Sequence, residues 1–304
     1  MRLHEVEKGD GFGYRMLFGF ISTVSGMRLP DAARIVMYHK DSYGKPMTTW
    51  THAAMRGKSS WSVGERELIA AMVAKWNSCP FCIDAHGSIA ALELGDPVIK
   101  SSLNNFQQAG ISNKLQVTLA FLEKLNQSPD KVSSNAIQSV LDQEVTVEAL
   151  EDAIAVTALF AITVRCANAF NFTLLDKRDS ARAAKRLLKQ GYVSGKNKIP
   201  VRPDHQVMAE ALRKRILEGP GKTDHKLRQA IAGRATGGFP IEEPYDELAL
   251  QIGEAAYKVT DEQVRKVVTK SGSEKAAFEL MTTACVSAGL YLWIKGYSVL
   301  KETA

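Results

Sequence analysis

Residues 62–88 read SVGERELIAAMVAKWNSCPFCIDAHGS and contain the clearest helix signal in the chain. Ser62 is followed three residues later by Glu65. This is the pattern of a capping box, in which the two side chains satisfy free backbone groups at a helix start. The apolar residues that follow recur at helical spacing and fall on one face. The stretch therefore predicts an α-helix from about Val63 to Trp76.

Helical periodicity extends through nearly the whole chain. No run of residues alternates β-branched and polar side chains between hairpin turns, which is the pattern of half-buried strands. Thr146 precedes a long apolar stretch, and this arrangement predicts a capped and buried helix. The sequence therefore predicts an all-α fold.

The composition is typical of a soluble globular protein. The chain has 304 residues, of which 45% are hydrophobic and 24% are charged, enough for one large domain or two ordinary ones. The most apolar N-terminal segment, residues 16–24, is too short to span a bilayer. The formal net charge of +6 is modest and does not by itself indicate nucleic-acid binding. We expect a cytoplasmic protein with neither a nucleic-acid nor a membrane partner.

The composition becomes strongly basic between Asp176 and Lys198, and we interpret this stretch as a solvated helix face. We predict a first domain at 1–175 that carries the cysteine pair, a basic linker at 176–205 and a second helical domain at 206–304. Both domains contain an amphipathic helix, a short capped helix and a long apolar helix in the same order. The second domain is therefore interpreted as a degenerate repeat without a site of its own.

The four cysteines fall into two groups. Cys79 and Cys82 are separated by two residues, and His86 follows four positions after Cys82. In a reducing compartment, so close a pair is typical of a catalytic or metal-binding site rather than a structural disulfide. Cys166 and Cys285 lie inside long apolar stretches, and we interpret them as core residues.

The spacing around the pair also predicts a local geometry. Ser78 is expected to cap a second helix that starts at Pro80, so that both sulfurs lie in its first turn, where the helix dipole favours negative charge. Cys82 and His86 would share one face, and His86 would accept the thiol proton. Glu67 on the preceding helix would lie opposite His86 if the helices form an antiparallel hairpin. Position alone favours Cys79, which is nearer the helix start, but the neighbouring His86 leads us to expect Cys82 as the reactive thiol.

The spacing of these residues resembles a family signature. Eleven residues separate Glu67 from Cys79, two separate the cysteines, and three separate Cys82 from His86. This pattern is similar to that of the AhpD-like alkylhydroperoxidases of the carboxymuconolactone decarboxylase superfamily, and the likeness is specific over about residues 55–100. The resemblance implies an all-α, AhpD-like helical fold and a homo-oligomer.

The resemblance also implies a role for each residue. Cys82 would be the peroxidatic thiol that is oxidised to sulfenic acid, and Cys79 would resolve it to a disulfide. His86 and Glu67 would form a proton relay. The implied substrate is a hydroperoxide, and the implied reductant is an external dithiol or a lipoylated protein, without a bound cofactor or metal. The decarboxylase branch of the superfamily lacks the cysteine pair, which argues against lactone decarboxylation.

Other interpretations of the pair remain open. A zinc site would use Cys79, Cys82 and His86 with Glu67 as fourth ligand, although no second close ligand pair is present. A thioredoxin-type site would require a β-strand before the first cysteine. The pair would also suit an inert core position, or a non-enzymatic redox sensor or structural protein whose disulfide forms once.

Overall fold

The structure is a computed structural model of the chain, and it describes residues 1–193 and 201–304. Over these residues it is 77% helical, with sixteen α-helices and no strand, so the predicted all-α fold class is confirmed. The helices are α1 (His4–Lys8), α2 (Phe12–Ser25), α3 (Asp31–Tyr38), α4 (Lys45–Arg56), α5 (Val63–Trp76), α6 (Pro80–Leu94), α7 (Asp96–Asn105), α8 (Asn113–Gln127), α9 (Ser134–Leu141), α10 (Val147–Ala169), α11 (Lys177–Gln190), α12 (His205–Glu218), α13 (His225–Ala235), α14 (Tyr245–Ala255), α15 (Asp261–Ser271) and α16 (Glu274–Thr303). Short 3₁₀ or π-helical turns occur at Lys40–Gly44, Phe106–Gln108, Pro129–Lys131 and Ala256–Lys258.

Local capping signals located the main helix starts correctly. Ser62 Oγ accepts a hydrogen bond from the backbone N–H of Glu65 at 3.2 Å. The Glu65 carboxylate accepts one in return from the backbone N–H of Ser62 at 2.8 Å, which completes the capping box at the start of α5. Thr146 caps α10 in the same manner by accepting from the N–H of Ala149. Both predicted helices are confirmed.

The start of α6 differs from the prediction. Ser78 is not the N-cap, because its φ of 51° places it in the left-handed region, and Cys79 takes the capping position instead. The cause is the end of α5, where the N–H of Cys79 donates to the carbonyl of Ala74 at 2.9 Å. The chain must then reverse within a very short connection, which requires the left-handed residue. Cys79 therefore precedes the first turn of α6, and Cys82 lies within it.

The centre of the molecule is the close packing of α10 against α16. Nearly every residue of α10 is buried. At the crossing, a Cβ atom added to Gly289 of α16 would lie 2.3 Å from Ile162 Cγ1 and 2.9 Å from the carbonyl oxygen of Ala158. Only a glycine allows the two backbones to come so near. α5 packs on the other side of α10 and thereby fixes the α5–α6 hairpin to this core.

By length and composition, α16 is apolar enough to cross a membrane. However, 83% of its most apolar window is buried inside the molecule. This is the pattern of a central helix in a globular core, and the contacts of α16 with α10, α12 and α13 account for its apolar surface.

The repeat predicted from the sequence is visible in the order of elements. α8, a 3₁₀ turn, α9 and α10 recur as α14, a 3₁₀ turn, α15 and α16. In the predicted basic linker, Lys177–Gln190 forms α11, which packs on α6, while residues 194–200 lie outside the described residues. Buried apolar residues from Leu3 to Leu300 belong to one cluster. The division into domains at 1–175, 176–205 and 206–304 remains a prediction.

The crossing of α10 and α16 generates a stability prediction. Gly289→Ala should lower the free energy of unfolding by about 2 kcal/mol, because the added methyl group meets backbone atoms that cannot move aside easily. Gly233→Ala in α13 is the matched control, since a Cβ there meets nothing within 4 Å. It should leave stability unchanged or raise it by up to about 1 kcal/mol through helix propensity. Urea unfolding followed by circular dichroism measures both, and equal midpoints would contradict the close crossing.

Candidate functional site

The α5–α6 hairpin brings the four predicted site residues together. Glu67 projects from α5, Cys82 and His86 project from the first turns of α6, and Cys79 is the α6 N-cap. All four are buried, with exposed fractions of 0% for Glu67 and Cys82, 1% for Cys79 and 6% for His86. The site is therefore closed off from solvent in this conformation.

The two thiols form a hydrogen-bonded pair. Cys79 and Cys82 lie 3.4 Å apart, and both are reduced. The Cys82 S–H donates to the Cys79 sulfur, and the backbone N–H groups of Cys82 and Phe81 donate to it as well. These donors outweigh burial and lower the pKa of Cys79 below its ordinary value of 9.0. The same S–H bond, together with full burial, raises the pKa of Cys82 well above 9.0.

These directions place the lower pKa on Cys79, whereas the sequence pattern predicted it on Cys82; which of the two thiols is ionised remains a prediction. Cys79 is the N-cap of α6, whereas Cys82 lies inside the helix and is fully buried. His86 does not reverse this order. Among the described residues, neither of its ring nitrogens hydrogen-bonds to a thiol, and its Nδ1 lies 2.7 Å from Glu67 Oε2.

Glu67 and His86 form a buried pair, as the hairpin geometry predicted. The carboxylate can only accept, so Nδ1 of His86 carries the proton in this hydrogen bond and Nε2 is left as the basic nitrogen. Burial alone would raise the pKa of Glu67, but hydrogen bonds and charges from His86 and Arg56 lower it below its ordinary value of 4.5. The His86 ring packs edge-on against Phe160, with ring centroids 4.4 Å apart. Glu67 is therefore held as a carboxylate, and the imidazole is held in one orientation.

Two further residues contact Glu67, and sequence reasoning missed both. Arg56, at the end of α4, donates from Nη2 to Glu67 Oε1 at 2.8 Å. Tyr192, just after α11, donates its hydroxyl to the same carboxylate, at 3.0 Å from Oε1 and 3.2 Å from Oε2. Tyr192 lies 125 positions from Glu67 in the sequence, so no local spacing connects them. Only the packing of α11 against α6 reveals the contact.

Cys166 and Cys285 are core residues, as the sequence predicted, with exposed fractions of 1% and 0%. They join α10 to α16 through a thiol–thiol hydrogen bond. The Tyr43 hydroxyl lies 3.6 Å from Cys166 Sγ. Burial and the bond to Cys166 raise the pKa of Cys285 well above 9.0. A thiol in this environment stays protonated and unreactive at neutral pH.

His205 belongs to a second buried cluster that the sequence did not indicate. Its Nδ1 accepts from Trp50 Nε1 at 3.1 Å, and its Nε2 lies 3.1 Å from Asp152 Oδ1. Arg202 Nη2 lies 2.9 Å from the same carboxylate oxygen. These contacts fasten the start of α12 to α4 and α10.

The structure also bears on two of the alternative interpretations. A helix, α5, precedes Cys79, so the β-strand required before a thioredoxin-type motif is not present at this position. Within residues 1–193 and 201–304, no group of three or more His, Cys, Asp or Glu side chains is arranged to hold a metal ion. Both oxygens of Glu67 already accept hydrogen bonds, from His86, Arg56 and Tyr192.

Comparisons with known proteins complete the description. No protein-family model matches the chain, and no curated protein matches it. One similar solved structure is an alkylhydroperoxidase AhpD core, an uncharacterized peroxidase-related protein from Ralstonia eutropha JMP134; it is 22% identical with a TM-score of 0.48, over 56% of this chain and 88% of that one. Another is an uncharacterized peroxidase-related protein from Silicibacter sp. TM1040. It is 23% identical with a TM-score of 0.48, and the match covers 56% of this chain and 87% of that chain.

The thiol pair generates a prediction about pH dependence. Cys82→Ala removes the S–H donor that is the largest cause of the low pKa of Cys79, so that pKa should rise. A hydrogen bond to a charged group contributes about 1.5–3 kcal/mol, so alkylation of Cys79 by iodoacetamide at pH 7 should slow about tenfold or more. Peptide mass spectrometry between pH 6 and pH 10 gives the profile.

The matched control for this experiment is Cys82→Ser. Its hydroxyl still donates to Cys79, so the profile should move much less than in Cys82→Ala. Cys285→Ala, in the core pair, should leave the profile of Cys79 unchanged. Identical profiles for wild type and Cys82→Ala would show that the pair does not share a proton.

Proposed function

We propose that this protein is a thiol-dependent hydroperoxide reductase that uses Cys79 and Cys82 as its redox pair. The observation that supports this function best is the pair of reduced thiols, 3.4 Å apart at the start of α6, on the same hairpin as the buried His86–Glu67 pair. A disulfide requires the two sulfurs to approach to about 2.05 Å. From a separation of 3.4 Å, this needs only a small movement within the turn.

The order of thiol acidity favours Cys79 as the attacking sulfur. Its thiolate would attack the terminal oxygen of the hydroperoxide, the O–O bond would break, and the departing alkoxide would take a proton from solvent to leave as the alcohol, so that Cys79 becomes a sulfenic acid. Cys82 would then attack that sulfur, lose its proton and expel water to form the disulfide. The family resemblance implies the opposite assignment, with Cys82 peroxidatic and Cys79 resolving. The chemistry is the same in either order. The two assignments differ in which cysteine becomes the sulfenic acid, and a reagent that traps sulfenic acid distinguishes them.

His86 and Glu67 are proposed as the proton relay. Because Nδ1 of His86 donates to Glu67, the free Nε2 is the nitrogen that would accept the proton of Cys82 when that thiol reacts. Arg56 keeps the carboxylate charged, so the imidazolium that forms would be stabilised by a partner already in place. This arrangement supports resolution of the sulfenic acid at neutral pH.

The electrons are proposed to come from an external dithiol, either a small molecule or a lipoylated protein, by exchange with the Cys79–Cys82 disulfide. No bound cofactor is needed for this cycle. A homo-oligomeric state, a cytoplasmic location and the lack of nucleic-acid or membrane partners belong to the same proposal.

The burial of the site supports a second candidate function. Because the thiols are at most 1% exposed, a hydroperoxide or a reductant reaches them only after the structure around the thiols opens locally. If reduction of the disulfide is slower than its formation, the protein is oxidised once and acts as a redox sensor. Repeated turnover distinguishes the two functions.

The first test measures turnover. Wild-type protein with dithiothreitol or dihydrolipoamide should consume hydrogen peroxide or cumene hydroperoxide through many cycles. Cys79→Ser and Cys82→Ser should each lower the rate more than about a hundredfold, because neither variant can form the disulfide. Cys285→Ala should retain full activity. A single oxidation without further consumption would support the sensor instead.

The second test identifies the attacking sulfur. With one equivalent of peroxide and dimedone as a trap for sulfenic acid, Cys82→Ser should be labelled on Cys79, and Cys79→Ser should remain nearly unlabelled. Peptide mass spectrometry locates the adduct. Labelling of Cys82 in Cys79→Ser, with little labelling of Cys79 in the other variant, would establish the assignment that the family resemblance implies.

A further inference from the structure

The segment that contains α11 lies along the first turns of α6 and reaches the Glu67–His86 pair. Phe172, before α11, packs its ring edge-on against Phe81, with centroids 5.2 Å apart. Ser180 Oγ donates to Asp84 Oδ2 at 2.6 Å. Tyr192, after α11, reaches the Glu67 carboxylate. The segment is therefore attached to α6 along its length, and its last contact is with the proton-handling residues.

The end of α11 is held in one position. The backbone N–H of Tyr192 donates to His52 Nδ1 at 3.2 Å, and Arg56 Nη2 donates to the carbonyl of Leu187 at 3.0 Å. Gly191 has a φ of +71°, and a Cβ atom added there would lie 2.6 Å from the His52 ring. A side chain at position 191 would therefore displace the turn that delivers Tyr192.

The Tyr192 hydroxyl is a permanent donor to Glu67. Burial, followed by the charge of Glu67, raises the pKa of Tyr192 well above 10.0, so the phenol keeps its proton. The ring lies nearly parallel to that of His86, with centroids 6.5 Å apart, and the hydroxyl is 3.5 Å from His86 Nδ1. The Arg56 guanidinium lies over the Tyr192 ring, 5.2 Å from the ring centroid.

We propose that Tyr192 is a positioning residue of the thiol site, whose hydroxyl fixes the Glu67 carboxylate facing His86 so that the imidazole is oriented to accept the thiol proton. This inference rests on the proposed function. Tyr192 does not touch the reacting sulfur in this role. It acts through Glu67, from a helix that the cysteine motif does not include.

The charged groups around Glu67 determine how removal of the Tyr192 hydroxyl should affect the site. The ionisable groups that face it are Arg56 from α4, His86 from α6 and Tyr192 after α11, and Arg66 is its neighbour on α5. Without the hydroxyl, the carboxylate loses a donor and becomes more basic. A more basic carboxylate stabilises the imidazolium form of His86, so the ring stays protonated to a higher pH. In that form it cannot accept a thiol proton.

Tyr192→Phe tests this directly, because it removes the hydroxyl and keeps the ring that closes the site. Peroxide turnover should fall about tenfold at pH 6 and recover to within about twofold of wild type at pH 8.5. Tyr257→Phe, at an exposed position away from the site, is the matched control and should keep the wild-type pH profile. A loss that is equal at every pH, or no loss, would overturn the proposal.

A second measurement does not depend on peroxide chemistry. In NMR titrations, with the His86 ring signals assigned by comparison with His86→Gln, the ring of His86 should take up its proton about one pH unit higher in Tyr192→Phe than in wild type. If wild type does not reduce peroxide but this shift occurs, the proposed function fails and the positioning role stands. If peroxide is reduced and the titration does not move, the positioning role is refuted.

Discussion

The site depends on one buried carboxylate. Glu67 is fully enclosed, and an isolated charge at such a position would be strongly destabilising. It is tolerated because His86, Arg56 and Tyr192 all donate hydrogen bonds to it. These three donors come from three different parts of the chain. The carboxylate therefore connects α4, α5, α6 and the end of α11 through hydrogen bonds.

The second feature of the site is the different position of the two thiols at the start of α6. The left-handed residue Ser78 makes Cys79 the N-cap of α6, and Cys82 lies in the first turn of the helix. The two sulfurs are 3.4 Å apart, so a small movement within the turn would bring them to the distance of a disulfide bond.

The core explains how such a polar site is held in place. α10 packs against α16 at Gly289 and against α5 on its other side, so the hairpin rests on a surface with little freedom to move. Phe160 of α10 supports the His86 ring directly. The segment that contains α11 adds further contacts to the hairpin, from Ser180 to Asp84 and from Tyr192 to Glu67.

The sequence by itself determined what depends on neighbours along the chain. The capping box at Ser62, the helical periodicity, the core positions of Cys166 and Cys285, and the pairing of Glu67 with His86 follow from short-range spacing and hairpin geometry. Tertiary structure decided that Cys79, rather than Ser78, is the N-cap of α6, since this depends on the backbone angle at Ser78. It also decided that Arg56 and Tyr192 complete the site. Contacts between distant segments arise from tertiary packing, and periodic patterns in the sequence do not predict them.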